Sequence, residues 1–379
     1  MGTERFLILS FSISIFSALS CIVLLLIKIA KESLNKFMKR FILLLIFAYT
    51  IEIVYMLSLF FYHFNIALFM PFKAVNFFAA LLFPILFYHF IFKLTRLKTH
   101  EYFKPWHYAA PLILALLFYL LFARTPKELI NHSDYKSLTL IKGHEIYSIF
   151  NYGRFYIEVV FSIIYIYLSA KRITHYRNEI VQYSSNIERS SLAWVYQVFG
   201  ITILVFVFPI VYYFTTPEIH FKFISFLIPN ILVLIFNVVI CYNVFQQNFI
   251  LLTEDIVLDK LSDLTSPGKD QLTHKKVYNY MINKKPYLDP YLKITDLAPM
   301  FATNRSYLSS FINTTYGLNF SMYINRFRLE EFYRLKNLPE NKNLELDELV
   351  YLSGFRSLQS LKRSEKILLT LKKMPAIKL

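Results

Sequence analysis

Residues 41–62 read FILLLIFAYTIEIVYMLSLFFY, twenty-two residues with one charge, Glu52. At 1.5 Å per residue such a run crosses the roughly 30 Å hydrocarbon layer of a bilayer as a helix. A helix also satisfies its own backbone hydrogen bonds where no water is present. The stretch therefore predicts a membrane span, and similar runs flank it on both sides. Residues 6–27, 71–92, 106–123, 150–170, 192–214 and 223–245 complete a set of seven candidates. The third holds Lys73 near its start and the fourth is short, so a count of six stays open. Composition agrees. Of 379 residues 56% are hydrophobic and 17% charged, and there are 39 Phe and 28 Tyr. An ordinary soluble domain is about 25% charged, and a soluble fold of this size could not bury so much apolar side chain. The opening run is too long for a secretory signal core, and only Glu4 and Arg5 precede it as charges.

Orientation follows from Lys/Arg bias in short connections. The first carries Lys28, Lys31, Lys36, Lys39 and Arg40; the third Lys93, Arg96, Lys98 and Lys104; the fifth Lys171, Arg172, Arg177 and Arg189. The second (63–70) has no Lys or Arg, the sixth (215–222) has Glu218 and Lys222, and the fourth (124–149) mixes signs. Odd connections are expected inside and even ones outside. The chain is then a multi-pass protein of the cytoplasmic (inner) membrane, with its N-terminus outside and its C-terminal part in the cytoplasm. Seven spans from an outside start end inside, which agrees.

Polar groups within the spans include Glu52, Asn76, His89, Glu158, Asn230 and Asn237. Charges at membrane depth are costly and usually face the bundle interior. Arg154 stands one helical turn before Glu158, so the two can pair along one face. Glu52, Arg154 and Glu158 are candidates for intramembrane sensing, as a polar ligand pocket or a proton-sensitive switch. The competing reading is a set of interhelical hydrogen bonds that fix packing. Cys21 and Cys241 lie inside apolar runs, which argues against a disulfide framework or a cysteine-based metal site. No HExxH, phosphate loop or Ser/His/Asp pattern is present. No enzyme activity, cofactor or metal is expected.

Composition shifts after Phe245. Residues 246–270 carry Glu254, Asp255, Asp259, Asp263 and Asp270, then Ser266-Pro267-Gly268. Phe249, Leu252 and Ile256 share one helical face. This linker either continues the last span as a helix able to pair with a second copy, or is a tether. Three segments result: a transmembrane bundle (1–245), a cytoplasmic linker helix (246–270) and a soluble domain (271–379). The last holds 18 Lys/Arg against 9 Asp/Glu, a difference of +9, within a chain of net charge +16. That balance suits phosphate, although an anionic leaflet also favours it.

The soluble domain is helical by periodicity. Thr295 is read as an N-cap, with Leu297, Ala298 and Phe301 on one face. Asn304 caps a second helix, 305–313, with Leu308, Phe311 and Ile312 inward and Arg305, Ser306, Ser309, Ser310 and Asn313 outward. Gly317 suits a left-handed C-cap. A third helix, roughly 320–336, turns Phe320, Tyr323, Ile324, Phe327 and Leu329 inward, with Arg326 and Arg328 beside them. Two short helices across a tight turn form a helix-turn-helix.

The run LAPMFATNRSYLSSFINTTYGLNFSMYINRFRLEEFYRL (297–335) resembles the first half of an AraC/XylS-type DNA-binding domain. The resemblance rests on Leu-Ala, a turn, Tyr-Leu-Ser, Gly317 and Phe-x-x-Tyr-Ile-Asn-x-x-Arg. It continues in LDELVYLSGFRSLQSLKR (346–363), where Gly354-Phe355 precedes Ser357, and covers roughly 285–365. The resemblance implies two helix-turn-helix units joined by one long helix, reading successive major grooves of double-stranded DNA. It implies contacts from Arg305, Ser306, Ser309 and Ser310 in the first unit. In the second it implies Arg356, Ser357, Gln359, Lys362 and Arg363. Three departures stand out. Pro299 interrupts the opening helix. Glu365 stands where the family buries an aromatic. The tail ILLTLKKMPAIKL lacks the closing helix beyond Met374-Pro375. A loosely packed second unit is therefore expected.

The expected fold is all-α, a polytopic transmembrane bundle followed by a two-unit helix-turn-helix domain. The expected function is a membrane-bound transcription regulator, with the bundle as sensor or anchor for an unknown ligand or signal. Its partners would be DNA, the lipid bilayer and a second copy of itself. The alternative is a receptor or transporter whose helical C-terminal domain recruits a protein.

Overall fold

A computed structural model describes residues 2–34, 36–96, 101–130, 138–183, 192–214, 219–246 and 272–371. These residues form helices and no strand. The linker expected over 246–270, its apolar face included, lies outside the described residues beyond Gln246. The chain divides into two compact units. One comprises Met1–Arg96, His100–Ile173 and Ala193–Leu251; the other comprises Leu97–Thr99, Thr174–Leu192 and Leu252–Leu379.

The first unit is a bundle of apolar helices: α1 (Gly2–Lys31), α2 (Lys36–Phe64), α3 (Ile66–Leu94), α4 (Trp106–Arg124), α5 (Glu145–Tyr183, which belongs to this unit as far as Ile173), α6 (Ala193–Phe214) and α7 (Ile219–Phe245). Among the described residues six, all but α6, are long and apolar enough to cross a membrane, and α6 holds a shorter apolar segment, Trp194–Phe208. The helices centre on the seven apolar runs and extend past most of them. Polar residues at their ends, such as Lys28 and Lys31 in α1, continue the helix beyond the apolar stretch. Helix α5 runs furthest past its apolar run, through Lys171, Arg172 and Arg177.

Small residues let α1 approach its neighbours. Ser10, Ser14, Ala18 and Cys21 recur at three- and four-residue spacing and are all buried. Such a stripe permits close backbone contact in an apolar bundle. It packs on α2 and α7, where Ser14 Oγ donates to Asn230 Oδ1. Asn237 Nδ2 donates to Ser17 Oγ at 3.0 Å and to Glu52 Oε1 at 2.8 Å. One amide thus ties α1, α2 and α7 together. Lys28 is buried over the Phe245 ring at 5.1 Å and bonded to Glu32. Its ammonium lies 3.4 Å from the Phe245 carbonyl, at the negative end of the α7 dipole. Helix α5 joins α3 through Lys73 Nζ, which donates to Tyr147 Oη at 3.0 Å. It joins α4 through Phe118 and Phe150, ring centroids 5.5 Å apart.

In the second unit α8 (His274–Lys284) precedes α9 (Ile294–Leu297), which passes into a 3₁₀ turn, Ala298–Phe301. Helices α10 (Arg305–Tyr316), α11 (Phe320–Lys336), α12 (Leu346–Leu352) and α13 (Leu358–Leu371) follow. The opening helix is capped at Lys293, not Thr295, because Asp296 accepts from the Lys293 N–H at 2.7 Å and fixes the first turn there. Pro299 has no N–H to extend the α pattern, and the chain tightens at that point.

The second half of this unit is closed, contrary to the expected loosening. Leu329 and Phe332 of α11, Leu349 and Val350 of α12, Phe355 and Leu361 form one buried cluster, with Leu368 packed against it. Glu365 sits half-buried and accepts from the Tyr333 hydroxyl, so a polar pair occupies the place expected for an aromatic. The residues beyond Leu371 lie outside those described.

Candidate nucleic-acid interface

The first helix-turn-helix is α9 with its 3₁₀ extension, a turn, and α10. Ala302 takes a left-handed conformation (φ 51°), and the Thr303 N–H closes the turn on the Ala298 carbonyl at 3.1 Å. Asn304 Oδ1 accepts from the Tyr307 N–H at 2.8 Å, which starts α10 at Arg305. Gly317 (φ 66°) ends it. Leu308, Ile312 and Tyr316 bury its inner face.

Ser310 and Asn313 are exposed on α10 as expected. Ser309 is not; only 9% of it is accessible. It shares its face with Ile312 and Tyr316, three and seven residues on, and turns with them toward the interior. The side chain of Ser306 lies outside those described. Arg305 is 21% exposed, with Nη2 4.0 Å from Glu179 Oε2 in the same unit. Tyr307, 44% exposed, stands beside Ser310 and Thr314 on the outer face. Its i+3 and i+7 spacing to those residues is the signal that sequence reasoning passed over.

The second helix-turn-helix is α12, a turn at Ser353–Ser357, and α13. Ser357 Oγ accepts from the Ser360 N–H at 3.1 Å and caps α13, so this oxygen is committed to the helix start. Arg356 is exposed, its guanidinium 5.1 Å from the Tyr291 ring. Gln359, Lys362 and Arg363 are exposed, and Lys366 continues their stripe at i+7, i+4 and i+3. Lys366 was legible from that spacing and adds a fourth polar group to the face. Leu358, Leu361 and Leu368 hold the opposite face on the core.

Arg328, the last residue of the Phe-x-x-Tyr-Ile-Asn-x-x-Arg pattern, joins the two halves. Its side chain is 2% exposed. Nε donates to the Tyr287 carbonyl and Nη2 to the Asp289 carbonyl, both at 2.7 Å, and Nη1 donates to Asn325 Oδ1 at 3.1 Å. The Phe355 ring lies 6.0 Å from the guanidinium. Burial lowers its pKa to about 10, which leaves it protonated at neutral pH. The Gly354 turn packs on the same place. With φ +87°, a Cβ there would stand 2.4 Å from the Tyr287 carbonyl oxygen, a distance only glycine avoids. Beside it, Arg334 and Lys285 hold the Glu331 carboxyl down at about 2. Both donate to it, at 2.8 and 3.0 Å.

In the bundle, Glu52 and Glu158 border one cavity. Arg154 does not border it; its guanidinium is buried 5.8 Å from the Phe118 ring centroid. Asn76 donates to Ser58 Oγ at 2.7 Å and His89 Nδ1 lies 2.6 Å from the Tyr108 hydroxyl, so these serve packing between helices. Among the described residues no group of three or more His, Cys, Asp or Glu could hold a metal. No protein-family model matches the chain, and no curated protein or solved structure matches it.

Proposed function

We propose that this chain is a membrane-anchored, sequence-selective DNA-binding regulator, its apolar bundle set in the cytoplasmic membrane and its C-terminal unit in the cytoplasm. One observation carries the reading: two helix-turn-helix units joined by the single long helix α11, with the Tyr-Leu-Ser and Gly-Phe-x-Ser signatures at their entrances in order. A helical adaptor would share the periodicity and the basic charge, yet has no use for paired units of this kind. The second reading helix supports it further. Gln359 can read adenine and Arg363 guanine through two hydrogen bonds each, while Lys362 and Lys366 suit phosphate.

The test is selection of sheared DNA from the source genome by the full chain in lipid nanodiscs, at two salt concentrations. The expected result is enrichment of a motif with two half-sites about one helical turn apart. A single half-site would restrict reading to one unit. Salt-sensitive binding without any enriched motif would reduce the role of the domain to phosphate attraction and overturn sequence selectivity.

A further inference from the structure

The bundle holds a cavity of about 110 Å³ between α2, α3, α5, α6 and α7. Its polar lining is rich in acceptors. Glu52 reaches it from α2 and Glu158 from α5. Only one Glu52 oxygen is engaged by Asn237, at 2.8 Å.

The remaining wall is aromatic and aliphatic. Tyr55, Phe83, Phe155 and Phe206 all border the cavity. Ring faces attract organic ammonium ions, and more strongly away from water. A bare metal ion suits the space poorly, since a hard cation gathers six or more oxygens at roughly 2.0–2.6 Å, and most of this wall is hydrocarbon. An engineered cavity of about 150 Å³ holds benzene, so a body of about four to six carbons fits here.

We infer that this cavity binds a short primary alkylammonium ion, its N–H donors meeting the Glu52 and Glu158 carboxylates and its hydrocarbon body meeting the phenylalanine rings. Carboxylates on α2 and α5 then grip one ligand from two sides of the bundle. Arg154 stands one turn from Glu158 on α5, and Lys73 lies further along α3. Arg154 offsets one of the two carboxylates, while Lys73 lies outside the lining and donates to Tyr147, so the cavity is short of one positive charge. The inference rests on the bundle reading of the first unit and is independent of DNA binding by the second.

The experiment is thermal unfolding of the full chain in nanodiscs, with n-butylammonium chloride as the probe. The melting temperature is expected to rise with concentration and saturate, whereas n-butanol, sodium chloride and potassium chloride at matched strength leave it unchanged. Glu52→Gln and Glu158→Gln are each expected to weaken the apparent affinity at least ten-fold. Ala80→Leu, which fills the cavity from an apolar position, is expected to abolish the response. It serves as the decisive variant if a glutamine variant does not fold. An equal rise with butanol or with a simple salt overturns the inference, as does an unaltered response in folded variants. Failure here leaves the DNA selection experiment untouched, and the reverse holds too.

Discussion

Arg328 carries more of the C-terminal unit than its place in the sequence suggests. Its guanidinium satisfies two backbone carbonyls and Asn325 at once, in a site only 2% exposed. Arg328→Ala would strand those acceptors and is expected to cost about 3 kcal/mol. Urea unfolding, followed by proteolysis of the C-terminal unit in the full chain, reads the loss. Arg328→Lys should recover only part of it, because an ammonium cannot span the same acceptors. Helical periodicity set Arg328 beside the buried stripe and could go no further, since its carbonyl partners come from a loop about forty residues earlier. Ser309 failed for the opposite reason. It is small and polar, which suggested an outer position, while its spacing to Ile312 and Tyr316 already pointed inward. Glu331 gives a pH dependence. Its folded pKa lies near 2 against an ordinary 4.5, so the stability it contributes is present above about pH 4.5 and lost as pH falls toward 2. Its partners Arg334 and Lys285 are 51% and 39% exposed, so screening trims the contribution to about 1–2 kcal/mol. Glu331→Gln should flatten the acid limb of the stability curve between pH 4.5 and 2.

At the scale of elements, the apolar runs were plain because the hydrocarbon length leaves little freedom in where a span begins. What they could not show was how far each helix continues. A helix ends where its capping chemistry ends, and Lys and Arg continue it readily, as α5 does. The turns were half legible. Asn304 and Gly317 act as caps where their residue types indicated, whereas Thr295 yielded to Lys293 because Asp296 fixes the turn two residues earlier. The cavity was not legible at all, since it gathers residues from five helices. Helix α13 gives the element-scale prediction. Gln359→Ala should relax base preference at one position of the selected motif, at a cost of about 1–3 kcal/mol for that site. Lys362→Ala should weaken binding to all sequences alike and lower the salt slope by about one. Competition binding over a salt series separates the two.

For the molecule as a whole, the proposed topology places the second and fourth connections outside and the C-terminal unit inside. Cys21 and Cys241 are both buried, so the background for thiol labelling is low. Leu138→Cys, at a site 50% exposed in the fourth connection, should react with an impermeant maleimide on intact cells. Glu345→Cys, exposed in the C-terminal unit, should react only after permeabilisation. The reverse pattern would invert the whole chain and remove the DNA reading with it. The clamp at Arg328 has one more consequence. It holds the loop before α9, the long helix α11 and the Gly354 turn before α13 in a single contact. On the proposed DNA-binding function, α10 and α13 would therefore behave as the fixed marks of a ruler. A DNA target with one base pair inserted between its half-sites is rotated by about a tenth of a turn as well as lengthened, and the proposed function predicts weaker binding to it than to the unaltered target.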